Sequence, residues 1–371
     1  VTSIVIVGGG IVGLCTAWHL AERGCRDLVV CERDAIGAGS TGRASGGIRQ
    51  QFAREVEIRM AVESVAFWEA FDGAFDARMN FRQVGYLYVL TTAQQVVDAE
   101  RNVALQVKCG APSRMLTPSE IRALMPEIDL DGVLAGSYCP TDGRANPMGA
   151  IEGLGRDLRA RGIDIREGCA VSEIHVAGGR VTGVTAGGER IAAGAVVNAG
   201  GPHAARVAEL AGLRLPVRPV RMHQFVTLPI AGLTPGRPVL VEPATTLFAA
   251  QEGEGMLLGM RQPDASGEHI DVDWEFLPDV LEVAARRIPA LSGAKVETAW
   301  AGLVEMSPDH VGIIGAVPEC DGFICANGLS GHGFMLAPAV GRIAASLALG
   351  EVPAEVDLAP LSPLRFRAAM A

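Results

Sequence analysis

A chain of 371 residues, 49% hydrophobic and 20% charged, is long enough for a substantial core and too apolar for extended disorder. Its formal net charge of −10 at pH 7 supplies no basic field, so neither nucleic acid nor an anionic membrane surface is expected as a partner. The eight cysteines form no CxxC pair and no zinc-like Cys/His spacing, which points to reduced thiols, no metal and a cytoplasmic protein.

Residues 3–7, SIVIV, read as a central strand buried on both faces. From Ile11, the residues Leu14, Ala17, Trp18 and Ala21 recur at helical spacing, and Gly24 suits the C-terminal cap. Residues 27–32 then read as a second strand. Between strand and helix stand Gly8, Gly10 and Gly13, a GxGxxG in a βαβ setting. Glycine there permits a tight turn, close approach of the backbone to a pyrophosphate, and close helix–strand packing. The helix start, Ile11 and Val12, offers free N–H groups to phosphate. Glu32 ends the second strand, where a carboxylate can accept from a ribose hydroxyl. An adenosine dinucleotide is expected, with NAD and FAD both open on this motif. The glycines interrupt the apolar start, and no stretch reaches the ~18 apolar residues of a spanning helix, so neither signal peptide nor transmembrane segment is expected.

After Glu32 and Arg33 comes GAGSTGRASGGIR, residues 37–49, a run of small residues where a simple nicotinamide dehydrogenase would enter its third βα unit. Residues 81–90 read as a turn and a strand, 92–110 as a helix, and Thr117-Pro118-Ser119-Glu120 as a helix start with Pro at N1 and Glu at N3. Residues 163–191 alternate as a strand meander, with turns at Gly178-Gly179 and Gly187-Gly188. Strands are expected at 224–228, 247–250 and 256–260 within an antiparallel sheet. Residues 190–203, RIAAGAVVNAGGPH, read as a further strand, and 322–334, GFICANGLSGHGF, as a strand leading into a last helix. The apolar face of that helix would be Leu336, Val340, Ile343, Ala344 and Leu347.

Taken together, GAGSTGRASGGIR, the 190–203 segment and the GLSGHGF loop resemble the D-amino-acid oxidase superfamily of flavoproteins. The likeness extends to sarcosine oxidase β-subunits, glycine oxidases and the β-subunits of amino-acid dehydrogenase complexes. The resemblance implies an α/β fold: a discontinuous Rossmann-like FAD domain of the glutathione-reductase type (1–85, 141–215 and 300–371) and an antiparallel-sheet, α+β substrate domain (86–140 and 216–299). It implies FAD held by Gly8, Gly10, Ile11, Val12, Gly13, Glu32 and Arg33. It adds Ser40, Thr41, Ala44, Ser45, Gly46, Gly47, Ile48, Val171, Ala199 and Gly200, and in the last loop Gly328, Ser330, Gly331, His332, Gly333, Phe334 and Met335. The start of the last helix would face the pyrimidine edge of the flavin, where N–H groups stabilise the negative charge of the reduced ring.

The activity implied is removal of a hydride from the α-carbon of a small amino acid to the flavin, leaving an imine that hydrolyses. A secondary or N-substituted substrate, sarcosine-, proline- or glycine-like, is expected. Arg49, in GGIR, would bind the substrate carboxylate; Arg261 is a second candidate, and His332 a third with a more structural part. His223 and Tyr86 are further pocket candidates. Three departures from sarcosine oxidases matter. Met335 replaces a carboxylate-binding lysine, no cysteine stands at 301–303 to tether FAD, and Leu257 aligns with a lysine that promotes reaction with oxygen. They imply non-covalent FAD and a dehydrogenase passing electrons to a partner protein or quinone, with oxygen still open as acceptor and a heteromeric or homo-oligomeric assembly compatible. Two alternatives stand: a 2-hydroxy-acid dehydrogenase, and a non-catalytic flavoprotein subunit or assembly factor.

Overall fold

In the computed structural model, which describes residues 3–262 and 267–366, the strand Ile4–Val7 lies inside a six-stranded sheet with all four side chains buried. The order across the sheet is Ile313–Ala316, Phe323–Asn327, Ala195–Asn198, Ile4–Val7, Leu28–Cys31 and Asp164–Arg166. Every neighbouring pair is parallel except the first, which is antiparallel. The two-residue period of a strand divides its contacts. Ile4 and Ile6 join a helical core, while Val5 and Val7 join the core shared with the three-stranded meander Val171–Ala177, Arg180–Ala186 and Glu189–Ala192.

On the helical side, Ile11–Glu22 lies against the last helix, Gly333–Ala348. Their axes approach closely because Gly341 has no side chain: a Cβ there would come within 2.7 Å of the Cys15 carbonyl carbon. The long helix Glu55–Phe75 adds Trp68 and Phe71, both wholly buried. Trp68 stacks on Phe334, ring centroids 5.3 Å apart, and its Nε1 donates to the Met335 carbonyl at 3.2 Å. The head of the last helix is thereby fixed from two directions.

The second layer is an eight-stranded sheet in the order Val296–Met306, Arg218–Thr227, Gly255–Gly259, Leu247–Glu252, Val239–Glu242, Tyr86–Leu90, Ala135–Cys139 and Arg114–Leu116. The expectation of an antiparallel sheet needs one correction, since Val239–Glu242 runs parallel to Tyr86–Leu90. A boundary at 299/300 also fails as a structural break. It falls inside Val296–Met306, which pairs along Arg218–Thr227 and so belongs to this sheet throughout. The same strand carries Gly302 to Glu305 to the site described next, so its sequence serves both layers.

Local signals placed the peripheral helices. Ala93–Lys108 begins with a reciprocal Thr92/Gln95 capping box and Pro118–Leu124 with a Thr117/Glu120 box, each satisfying two otherwise free N–H groups. All eight cysteines are free and buried. No helix among the described residues is long and apolar enough to cross a membrane.

Candidate active site

The turn between the first strand and helix is built by contact. Gly8 has φ +114, and a Cβ on it would strike the carbonyl of Ala199; one on Gly13 would strike the carbonyl of Gly8. Gly10 precedes the helix with no side-chain cap, and the first turn carries no acid. The positive end of the helix is therefore left for an external anion. Thr41 Oγ1 accepts one of its N–H groups, that of Ile11, at 3.1 Å. Glu32 closes the turn, accepting the Gly9 N–H at 2.7 Å and the Asp34 N–H at 2.8 Å.

These groups line one end of a cavity of about 780 Å³, within the range of small-molecule and cofactor sites. Gly8, Gly10, Ile11, Val12, Glu32 and Arg33 form that end; Ser40, Thr41, Ala44, Ser45, Val171, Ala199 and Gly200 continue it; Gly331, Gly333 and Phe334 form the far end. A glycine cradle, an open helix start and a carboxylate at the second strand together fit an adenosine diphosphate half. Four expected contacts line neither this cavity nor the one below. Gly13 spaces the helix from the strand, and Ile48 is wholly buried. Gly328 (φ +68) and Ser330 (φ 53) shape the last loop, with Ser330 Oγ donating to the Gly328 carbonyl at 3.0 Å and accepting the Ser307 N–H at 3.2 Å.

A second cavity of about 240 Å³ adjoins the first and shares Ala44, Ser45, Phe248, Gly331 and Phe334 with it. Its remaining walls are Gly46, Gly47, Arg49, Tyr86, Tyr88, Val241, His332 and Met335. Arg49 is its cation, and among the described residues no carboxylate lines it. The guanidinium lies 4.3 Å from the Phe52 ring centroid and donates to the Gln51 carbonyl at 2.5 Å and to His332 at 2.8 Å. Arginine cannot accept, so His332 presents the Nε2 lone pair and carries its proton on Nδ1, which is enclosed and has no partner among the described residues. Burial first, then the Arg49 charge, hold this imidazole neutral, far below the ordinary histidine range. Burial also raises the phenols of Tyr86 and Tyr88, keeping both uncharged.

A buried network steadies the Arg49 loop. Asp142 accepts the Gln50 N–H at 2.8 Å and Gln51 Nε2 at 3.2 Å, while Gln51 Oε1 accepts from Ser137 at 2.9 Å. Burial lifts Asp142 to about 6 against these stabilising bonds. Upstream, Arg144 donates twice to the Ser45 carbonyl, at 2.9 and 2.7 Å.

Arg261 is corrected. The strand ends at Gly259, and Arg261 lies exposed beyond it, its amide donating to Thr246 Oγ1 at 2.9 Å; it lines neither cavity. His223 is a core residue, its Nε2 accepting the Asp273 N–H at 3.0 Å and its ring stacked on Phe225. Tyr88, Val241 and Phe248 escaped the sequence reading because three separate strands converge on them. The alternation of Tyr86 and Tyr88 on one strand face was the available signal.

The DAO family model, described as FAD dependent oxidoreductase, matches residues 3–347. The chain is 26% identical over 356 residues to the mitochondrial sarcosine dehydrogenase of Homo sapiens, covering 92% of this chain and 39% of that protein. It is 28% identical over 385 residues to the mitochondrial dimethylglycine dehydrogenase of Mus musculus, covering 98% and 44%. It thus spans about two fifths of the length of these relatives. Among solved structures, the L-proline dehydrogenase of P. horikoshii superposes with a TM-score of 0.92 at 31% identity, over 99% of this chain and 98% of that one. The glycine oxidase of Geobacillus kaustophilus shares the fold, with a TM-score of 0.86 at 24% identity over 97% and 98%.

Proposed function

Because the chain belongs to the DAO family of FAD-dependent oxidoreductases, we propose that it oxidises the α-carbon of a small N-substituted or secondary amino acid at the smaller cavity. The reading rests on one observation above all. Arg49 is the cation of a cavity that no acid lines among the described residues, and that cavity shares its wall with the larger one. An α-carboxylate meets a fixed guanidinium there. His332, held neutral, orders the guanidinium without adding a second charge, and Tyr86, Tyr88 and Phe248 exclude water from the reacting carbon. FAD, when bound, supplies the two-electron acceptor.

The cavity-lining residues named above are the proposed cofactor contacts, with the six-stranded sheet as the cofactor layer and the eight-stranded sheet as the substrate layer. Non-covalent attachment is supported by the lining itself, whose one cysteine, Cys31, stands beside Glu32 at the end away from Phe334. A dehydrogenase rather than an oxidase is favoured by Leu257, buried in the sheet where the resembling oxidases carry lysine. Relatives acting on sarcosine, dimethylglycine and proline support the substrate class.

The test is anaerobic titration of the yellow protein with sarcosine, dimethylglycine, proline and glycine, and with 2-hydroxy acids in parallel. Bleaching by amino acids alone is expected. Bleaching by hydroxy acids alone selects the hydroxy-acid reading. No bleaching by either, with dithionite reduction intact, selects a non-catalytic subunit.

A further inference from the structure

Glu305 lies on Val296–Met306, beneath the loop that opens the last helix. Its Oε1 accepts the Leu329 N–H at 3.3 Å and would stand 4.0 Å from a Cβ on Gly333. Its Oε2 is enclosed without a hydrogen-bond partner. Glu305 lines the larger cavity together with Gly331 and Phe334, two of the residues shared with the Arg49 cavity. It is therefore an acid at the junction of the two cavities, where a dinucleotide anchored at Gly8 to Val12 must present its reactive ring to a substrate. This placement depends on the assignment of the two cavities made above.

Among the described residues, no cation pairs with it. Across the sheet its partner is Pro219. Arg221, two residues on, donates instead to His269 at 2.7 Å and to the Asp271 carbonyl at 3.3 Å. The last helix has no acid in its first turn, and His332 in the loop is neutral. Arg43, on the turn beside Gly302, has its carbonyl occupied by Trp300 Nε1, and Ser330 Oγ accepts the Ser307 N–H. Burial raises Glu305 to about 7, opposed by the Gly328 and Leu329 amides. The carboxylate and a negatively charged reduced ring would compete for the same positive helix start.

We propose that Glu305 is a proton-holding positioning residue for FAD: ionised beside the oxidised cofactor, it takes up one proton from solvent when the cofactor is reduced. The hydride from the substrate, or two electrons from a chemical reductant with one proton from solvent, accounts for the reduced ring. The further proton ends on the Glu305 carboxylate, so one charge and not two remains in the cavity.

Equilibrium reduction of the FAD-loaded protein by dithionite against a reference dye, at several pH values between about 7 and 9, tests this without any substrate. Each proton coupled to a two-electron reduction shifts the equilibrium tenfold per pH unit, about 30 mV. The wild type should fall by about 60 mV per unit and Glu305→Gln by about 30 mV, with Glu305→Asp restoring the steeper slope. Equal slopes for wild type and Glu305→Gln overturn the proposal, whatever the amino-acid titration gives. Should Glu305→Gln fail to keep FAD, the reduced-minus-oxidised infrared spectrum of the wild type decides. A gained protonated-carboxyl band that moves in heavy water supports the assignment, and its absence overturns it.

Discussion

Arg49 donates through Nη2 to Nε2 of His332 at 2.8 Å, joining the loop after Gly47–Ile48 to the head of the last helix across 283 residues of sequence. The bond orders both partners. It aims the guanidinium at the smaller cavity and selects the imidazole tautomer that presents Nδ1–H.

Replacing Arg49 should therefore be felt mainly by substrates with a carboxylate. Arg49→Lys keeps the charge but loses the planar fork and the bond to His332; Arg49→Ala loses both. Removing one member of a buried charged pair costs about 2–4 kcal/mol, so kcat/KM should fall roughly 30- to 1,000-fold for Arg49→Ala, with less loss for Arg49→Lys. FAD content should stay unchanged. Steady-state kinetics with flavin quantitation measure this, and an unaltered KM would remove the carboxylate role.

His332 should contribute no ionisation to the rate near neutrality. Its folded-state pKa is depressed by burial and by Arg49, so it remains neutral as pH falls through the ordinary histidine range. The kcat/KM profile of wild type and His332→Gln should then show the same limbs between pH about 6 and 9. A limb present only in the wild type would show that His332 titrates.

Gly13→Ala should cost the protein its colour. The new methyl group would meet the Gly8 carbonyl, forcing helix and strand apart where the diphosphate is expected to sit. Overpacking of this kind costs about 1–3 kcal/mol, enough to weaken FAD roughly 5- to 150-fold while the fold survives. Flavin absorbance after dialysis, with a melting curve as control, reads it out.

Acid precipitation should release intact FAD into the supernatant. Among the residues lining the two cavities, Cys31 is the one cysteine, and it stands at the nucleotide end. Yellow colour retained in the pellet would mean a covalent link.

Asp142 should make the wild type less stable as pH rises from about 4 to about 6. Its folded-state value is lifted to about 6 from an ordinary value of 3.8, so the folded chain holds its proton while the unfolded chain releases it. The cost grows through that window, then stays constant above it, reaching about 3 kcal/mol. Urea unfolding of wild type and Asp142→Asn should diverge in slope only there. Parallel pH profiles would show that Asp142 ionises as freely folded as unfolded.

The glycine turn was legible because its determinants are local. Gly8, Gly10 and Gly13 act on backbone within six residues of each other, and Glu32 lies one helix and one strand away. The helix start at Thr117 was legible for the same reason. Arg261 misled because proximity in sequence to Gly259 was read as proximity to the pocket, whereas the strand stops and the side chain turns to solvent.

By itself the sequence determined a glycine turn between the first strand and helix, the second strand, the last strand and helix, and an arginine in GGIR, since backbone geometry and hydrophobic period are set by neighbours along the chain. Only the tertiary structure decided that Tyr88, Val241 and Phe248 join Tyr86 in walling the Arg49 cavity and that Asp142 steadies its loop. It alone placed Glu305 where the two cavities meet. Those relations depend on which strands pair across the eight-stranded sheet, and pairing is fixed by burial summed over the whole molecule, which no short stretch of sequence carries.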